Sequence, residues 1–143
     1  MYFPKVLVIT ALVASSSAAV YRWVLITSLA ISPRASAQCT SARVQIVYAL
    51  NDASGNVLRI QDPAVAQAAK AGIQQATGGI AQIAKAIFAL QPPPAAARDT
   101  TEAGLEVAAN ALARGDPSDP AVTAAQDFIE RAKKAGADVV ANC

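Results

Sequence analysis

The sequence predicts an all-α protein, an antiparallel four-helix bundle whose two ends are joined by one disulfide. Alanine makes up 28 of the 106 residues from Gln38 to Cys143, and alanine is the strongest helix former. Apolar residues recur there every three or four positions, which is the period of a helix, and no strand-like alternation of any length is present. The only two cysteines, Cys39 and Cys143, lie near the two ends of this stretch.

The first predicted helix runs from Thr40 to Ile60. Its apolar residues step by three or four positions through Ser54-Gly55-Asn56, so we expect one helix that is frayed or kinked there. The predicted apolar stripe consists of Val44, Val47, Leu50, Ala53, Val57 and Ile60.

The second predicted helix starts at Asp62-Pro63, because an aspartate caps free backbone amides and proline is tolerated at the first helical position. Pro92-Pro93-Pro94 ends it. Gly78-Gly79 costs about 2 kcal/mol relative to two alanines, so either a neighbour approaches closely there or the helix breaks. We favour a bend or break, which would give five helices. The predicted stripe is Val65, Ala69, Gly72, Ile73, Ala76, Ile80, Ile83, Ile87 and Leu90.

Two shorter helices follow. The third begins at Asp99 or Thr100 after an extended link over 95–98, and Gly115 ends it. Asp119-Pro120 opens the fourth in the same way as Asp62-Pro63. The predicted stripes are Leu105, Ala108, Ala109 and Leu112 in the third, and Val122, Ala125, Phe128, Ile129, Ala132, Gly136, Val139 and Val140 in the fourth.

Residues 1–37 are predicted to be a leader that ends at a signal-peptidase-type site, Ala35-Ser36-Ala37. Cleavage there leaves 38–143 as a single secreted domain. The leader contains two apolar runs, Val6–Ala14 and Val24–Ile31, each too short to span a membrane.

Two alternatives to this cleavage stay open, and a separate hypothesis concerns the gene model. Cleavage after Ala19 would leave the second apolar run as a propeptide or surface anchor. An uncut segment would tether the protein to a membrane. The stretch 20–33 also has the character of an insert, as from a retained short intron, because its deletion would leave an ordinary short signal peptide.

Composition argues against several functions. The chain has no histidine, the commonest general base and metal ligand, and its two cysteines are too few for a cysteine-rich metal site. We therefore expect no enzyme activity, no metal and no cofactor. Residues 38–143 carry nine basic and ten acidic side chains, a poor match to nucleic acid. Glu102 and Glu106 are expected on a solvated helix face, and Asp116 and Asp119 as capping residues.

A bundle lined by alanine, valine and isoleucine would leave room for an acyl chain, or would open to lay its apolar stripes on a hydrophobic surface. The alternatives are plain core packing and a secreted protein-interaction module, like an effector or inhibitor, without a small-molecule ligand. A disulfide is predicted between Cys39 and Cys143, which places the protein in an oxidising compartment. After cleavage of the leader, contact with a membrane is expected to be peripheral at most. The predicted apolar lining is Tyr48, Ile73, Ile80, Ile83, Ile87, Phe88, Leu105, Leu112 and Phe128.

The stretch from Ala76 to Ile87, Ala-Thr-Gly-Gly-Ile-Ala-Gln-Ile-Ala-Lys-Ala-Ile, resembles the hydrophobic surface-binding protein A family among small secreted proteins of fungi, which includes cell-wall mannoproteins. The resemblance implies a secreted helical bundle that adsorbs to hydrophobic surfaces or holds fatty acids, in the cell wall or the medium. The chain departs from that family in its excess of alanine, its few serines and threonines, and its terminal cysteine pair.

Overall fold

The computed structural model describes residues 37–143, which belong to one compact unit, Ala35–Cys143. The predictions for the leader, its cleavage and the insert fall on residues 1–36 and lie outside the described residues. Residues 37–143 contain no strand. Their four helices are α1 (Ala37–Val57), α2 (Pro63–Phe88), α3 (Ala95–Leu112) and α4 (Pro120–Asn142).

The four helices form two closely packed pairs, α1 with α4 and α2 with α3. The members of each pair run antiparallel, since Cys39 at the start of α1 is bonded to Cys143 just after α4, and Gly72 and Gly79 of α2 face Gly104 and Thr101 of α3. The all-α bundle closed by a terminal disulfide is therefore confirmed.

A shared apolar core joins the two pairs. Its largest fully buried side chains come from α1, α3 and α4: Val57, Leu112, Val122 and Ile129. Alanines fill much of the remaining space, so that the helices pack closely and the core contains few bulky groups. The other core residues are Ile46, Ala49, Leu50, Ala53, Ile60, Val65, Ala69, Ile73, Ala76, Leu105, Ala108, Ala111, Ala121, Ala125, Ala132 and Ala135.

The α2–α3 contact depends on missing side chains. A Cβ atom added to Gly72 would lie against the backbone nitrogen of Ala108 and 2.7 Å from the carbonyl oxygen of Gly104. A Cβ on Gly104 would in turn lie against the backbone nitrogen of Ala76 and 2.7 Å from the carbonyl oxygen of Gly72. Backbone therefore touches backbone at the crossing, and neither glycine can gain a methyl group without the helices moving apart.

The predicted break at Gly78-Gly79 is wrong, because α2 is continuous from Pro63 to Phe88. A Cβ on Gly79 would contact the Thr101 hydroxyl and lie 2.6 Å from the Ala97 carbonyl oxygen. Close approach of α3 thus explains Gly79. Nothing lies within 4 Å of a Cβ on Gly78, so close packing does not explain the glycine at this position.

Three other predictions are corrected by the packing. The third helix starts at Ala95 rather than Asp99 or Thr100, since Ala97 is fully buried where α3 meets Gly79. Val44 and Val47 are half exposed instead of belonging to the core stripe, because α1 turns Ile46, Ala49 and Ala53 inward. Those three residues set the phase of α1, which continues past Gly55 and ends at Val57 rather than Ile60.

Aspartates cap α2 and α4 as predicted. The Asp62 carboxylate accepts hydrogen bonds from the amides of Ala64 and Val65 at 2.8 and 3.4 Å. Asp119 accepts from the Ala121 amide at 2.8 Å, and its second oxygen accepts from the Gln61 amide at 3.1 Å. The buried Asp119 carboxylate therefore joins the α1–α2 link to the α3–α4 link at one end of the bundle.

The disulfide closes the opposite end of the α1–α4 pair. It joins residues 104 positions apart, with the two Cα atoms 5.2 Å from each other. Cys39 is buried, whereas Cys143 is exposed.

The C-terminus of α2 ends in an uncommon way. The amide of Gln91 donates to the Ala86 carbonyl at 2.9 Å, and that of Leu90 donates to the Ile87 carbonyl at 3.0 Å, which is the Schellman pattern. Leu90 has a φ of 55°, the left-handed conformation that glycine normally supplies at this position. Its side chain, predicted to belong to the apolar stripe of α2, is 95% exposed instead.

Gly79→Ala and Gly78→Ala form a matched pair that tests the close contact. We expect Gly79→Ala to lower the free energy of unfolding by about 2–3 kcal/mol, because the methyl group meets backbone atoms. Gly78→Ala should raise it by about 0.5–1 kcal/mol, since only helix propensity changes. Thermal and urea unfolding measure both. Similar effects of the two substitutions would contradict the packing described above.

Leu90→Gly should stabilise the protein by about 1 kcal/mol, because it removes the left-handed strain and gives up no packed side chain. Leu58→Gly is the control, since Leu58 is an exposed leucine in the α1–α2 link, at the other end of α2. The melting temperature of each variant, with the disulfide intact, gives the result. A lower melting temperature for Leu90→Gly would show that Leu90 packs inside the molecule.

Reduction of the disulfide should lower the melting temperature markedly. A crosslink across 104 positions constrains the unfolded chain and contributes up to about 4–5 kcal/mol in the chain-entropy model, a large share of the stability of a small domain. Calorimetry with and without a thiol reductant measures the difference, and Cys39→Ala/Cys143→Ala provides a reductant-free comparison. An unchanged melt in both would mean that the disulfide contributes nothing to stability.

Candidate functional site

An open groove lies between α1 and α2, with a volume of about 430 Å³. Four residues of each helix line it. They are Val47, Leu50, Asn51 and Ser54 from α1, and Ile73, Gln74, Thr77 and Ile80 from α2.

The groove follows from the way the helices pair. Residues 47, 50, 51 and 54 share one face of α1, and residues 73, 74, 77 and 80 share one face of α2. Glycines draw α2 against α3, and the disulfide and Ile46 hold α1 against α4. Since α1 and α2 belong to different pairs and contact each other less extensively, space remains along their seam.

The groove has an apolar floor and an uncharged polar rim. Leu50 and Ile73 are buried at its base, Ile80 is partly buried, and Val47 is 52% exposed. None of the eight lining residues is ionisable. The hydroxyl of Thr77 donates to the carbonyl of Ile73 at 2.8 Å, so its donor is already used within α2. An apolar ligand in the groove would therefore displace no charged group.

Val44 and Tyr48 extend the apolar surface of α1 beside the groove. Both are exposed, and with Val47 they follow the i, i+3, i+4 spacing of a single helical face. This face of α1 was predicted to be core. Since it is exposed instead, it adds accessible apolar area next to Val47.

The structure brings two of the nine predicted lining residues, Ile73 and Ile80, into the groove. Leu105 and Leu112 lie in the core. The other five predicted residues are not part of the groove lining. Tyr48 and Phe88 are exposed, Ile83 and Ile87 are half-buried farther along α2, and Phe128 is partly buried beneath the Arg131 guanidinium, 5.2 Å from its ring centre.

Sequence reasoning missed the polar half of the groove, Asn51, Ser54, Gln74 and Thr77. The signal was present in part, because Asn51, Ser54 and Thr77 each lie three or four positions from an apolar residue of the same groove. The sequence does not show which helix faces these residues across the groove. Val47 and Leu50 were placed in the core stripe rather than in a binding site.

The described aspartate and glutamate side chains cap helices and turns or lie on the surface. Asp99, Glu102 and Glu106 are exposed along α3. The hydroxyl and the amide of Ser118 donate hydrogen bonds of 2.7 and 2.8 Å to the Asp116 carboxylate, in the turn between α3 and α4. These bonds hold the pKa of Asp116 below its usual value. Within residues 37–143, no group of three or more histidine, cysteine, aspartate or glutamate side chains is placed to hold a metal ion.

None of the helices described for residues 37–143 combines the length and the apolar character needed to cross a membrane. Comparison with known proteins adds no relative, since no family model, characterised protein or solved structure matches this chain.

Proposed function

We propose that this protein is a secreted, non-enzymatic binder of apolar ligands of the fatty-acid type, and that the α1–α2 groove holds the acyl chain. The observation that carries the proposal is the groove itself, with an apolar floor, an uncharged rim and a volume of about 430 Å³. That volume lies within the roughly 300–1,000 Å³ of typical small-molecule sites.

Transfer of apolar surface from water drives such binding. Each methylene of an acyl chain that leaves water contributes about 0.8 kcal/mol, and the groove offers Val47, Leu50, Ile73 and Ile80 as its partners. The polar rim gives hydrogen-bonding groups to the ligand head or to water. The same face, continued over Val44 and Tyr48, would also adsorb to a hydrophobic surface in the cell wall or the medium.

The proposed function includes secretion and the absence of catalytic activity. The disulfide between Cys39 and Cys143 is of a kind that persists in oxidising compartments. The groove presents no ionisable side chain that could serve as an acid, base or nucleophile. These features favour binding over chemistry at this site.

A secreted protein-interaction module is the second candidate. It is favoured by the exposed Val44, Val47 and Tyr48 on one face of α1, a spacing used by helices that dock into an apolar groove of a partner. In that case the face of α1 would be covered by a protein and the groove would bind no acyl chain.

Palmitate binding by matched variants tests the groove. The protein is expressed from the full chain in a eukaryotic secretory host and titrated with palmitate, with native mass spectra and thermal shifts as readouts. We expect acyl-sized adducts and a raised melting temperature. Val47→Gln should weaken binding roughly tenfold, since it replaces an apolar contact worth about 1.5 kcal/mol by a polar one.

Val107→Gln is the control, because Val107 is 43% exposed on α3 and outside the groove. Both substitutions should change stability by less than about 0.5 kcal/mol. Equal palmitate affinity of the two variants would show that the ligand binds outside the groove. If the unsubstituted protein shows neither adducts nor a thermal shift, the groove proposal fails and the protein-interaction module is favoured.

A further inference from the structure

One charged side chain of α1, Arg43, lies in line with the groove. Arg43 precedes Val47 by four positions and Leu50 by seven, and those two residues line the groove. Residues with this spacing share one face of a helix, so Arg43 continues the groove-facing side of α1 by one turn. A long helical side chain leans toward the N-terminus of its helix. The guanidinium is thereby placed at the end of the groove that is farther from the α1–α2 link.

The apolar face of α2 reaches the same end of the groove. Residues 58–62 alone connect α1 to α2, and so short a link cannot run back along the roughly 30 Å of α1. The two helices are therefore antiparallel, and α2 continues past Ile80 toward the level of Arg43. Ala84 and Ile87 follow Ile80 by four and seven positions and are half-buried. An acyl chain in the groove thus has apolar surface as far as the turn that carries Arg43.

Arg43 has no partner within the part of the chain that the structure describes. Its residue is half-buried, and its Nε atom is buried without a hydrogen bond. Among residues 37–143, no other buried side-chain nitrogen or oxygen is in this state, and the only ion pair there joins Lys133 to Glu130. A buried donor without an acceptor costs free energy, which an acceptor supplied by a ligand would recover.

Neither helix of the groove offers a carboxylate to Arg43. No acidic residue is present in α2, and Asp52 is the only one in α1. Asp52 follows Arg43 by nine positions, which is two and a half helical turns, so it lies on the opposite side of α1, where it is exposed. In α4, which also packs against α1, Asp138 is exposed and forms no ion pair. The positive charge at this end of the groove therefore favours an anionic ligand group.

The head of a fatty acid has the chemistry that a guanidinium binds best. A guanidinium has five N–H donors in a planar fork and no acceptor. Two parallel N–H groups can donate to the two oxygens of one carboxylate, and such charge-assisted bonds are about twice as strong as neutral ones. The hydroxyl of a fatty alcohol has no charge and a single oxygen, so it gains less from the same side chain.

We propose that Arg43 binds the carboxylate of the ligand and makes the groove selective for free fatty acids over neutral lipids of equal chain length. The acyl chain lies on the apolar floor and extends toward Ile87, and the carboxylate accepts hydrogen bonds from the guanidinium. This assignment rests on the acyl-chain groove proposed above and attributes its head-group specificity to one residue.

Paired affinities for palmitate and hexadecanol test the proposal, because the two ligands have chains of equal length and differ in the head group. The protein is prepared from the full chain as above, and affinities are obtained from thermal-shift titrations at neutral pH. We expect the unsubstituted protein to bind palmitate about tenfold or more tightly than hexadecanol. Arg43→Met should lower palmitate affinity to that of hexadecanol and leave hexadecanol binding unchanged, since methionine keeps the apolar part of the side chain.

Arg59→Met is the matched control. Arg59 is exposed in the α1–α2 link, beyond the opposite end of the groove, so its replacement removes the same charge and should keep the palmitate preference. Val47→Gln should weaken the binding of both ligands by a similar factor, because it changes a contact with the acyl chain. Without ligand, Arg43→Met should melt at or above the temperature of the unsubstituted protein, because it removes a buried donor that has no partner.

The possible results distinguish failure of the groove from failure of the Arg43 assignment. If the unsubstituted protein binds neither ligand, the groove proposal fails and the assignment fails with it. If both ligands bind with equal affinity, or if Arg43→Met keeps the palmitate preference, the groove stands and the role of Arg43 is overturned. Loss of the preference in Arg59→Met alone would place the carboxylate at the opposite end of the groove. A lower melting temperature of ligand-free Arg43→Met, with the preference intact, would make Arg43 a structural residue.

Discussion

The close approach of α2 and α3 is the constraint on which most of this structure depends. At Gly72, Gly79 and Gly104 the backbone of one helix lies directly against the other. Dispersion between backbones held at short range adds there to the burial of Ala76 and Ala108, which are fully buried beside the glycines. Such a contact requires α2 to continue through Gly79, and it requires α3 to begin early enough for Ala97 to reach Gly79.

The space between the helix pairs follows from this contact. Small residues shorten the distance within each pair, and the two pairs then meet over a core that contains few bulky groups. Asp119 ties the α1–α2 and α3–α4 links together at one end, and the disulfide joins α1 to the end of α4 at the other. Neither restraint closes the seam between α1 and α2. The groove is thus a consequence of the packing, and its apolar floor is part of the core.

Local chemistry made much of the fold predictable. Asp62-Pro63 and Asp119-Pro120 start helices because the cap and the proline act within one turn, and the three prolines stop α2 whatever surrounds them. The errors arose where a distant neighbour decides. From the sequence alone Gly78-Gly79 predicts a break, because the contact with α3 that explains Gly79 is not visible there. Val44 and Val47 are likewise predicted to be core, because the packing of α4 against α1 decides which face of α1 is buried.

The candidate site was less predictable than the fold for the same reason. Ile73 and Ile80 could be chosen because they are large and apolar, but Leu105 and Leu112 satisfy the same criterion and are core. Which apolar residues face a groove depends on which helix lies opposite, and helical periodicity does not contain that information. The conformation of Leu90 was equally hidden, since a leucine in a stripe gives no sign that it will be the C′ residue of a Schellman motif.

The proposed groove needs α2 to be one continuous helix. The groove is lined by the middle of α2, from Ile73 to Ile80. Gly78-Gly79 lies between Thr77 and Ile80, where two glycines in an isolated helix would cost about 2 kcal/mol and allow it to bend. Contact with α3 at Gly79 removes that freedom. Gly79, which weakens α2 locally, is therefore also the residue through which α3 holds the groove-lining part of α2 in place.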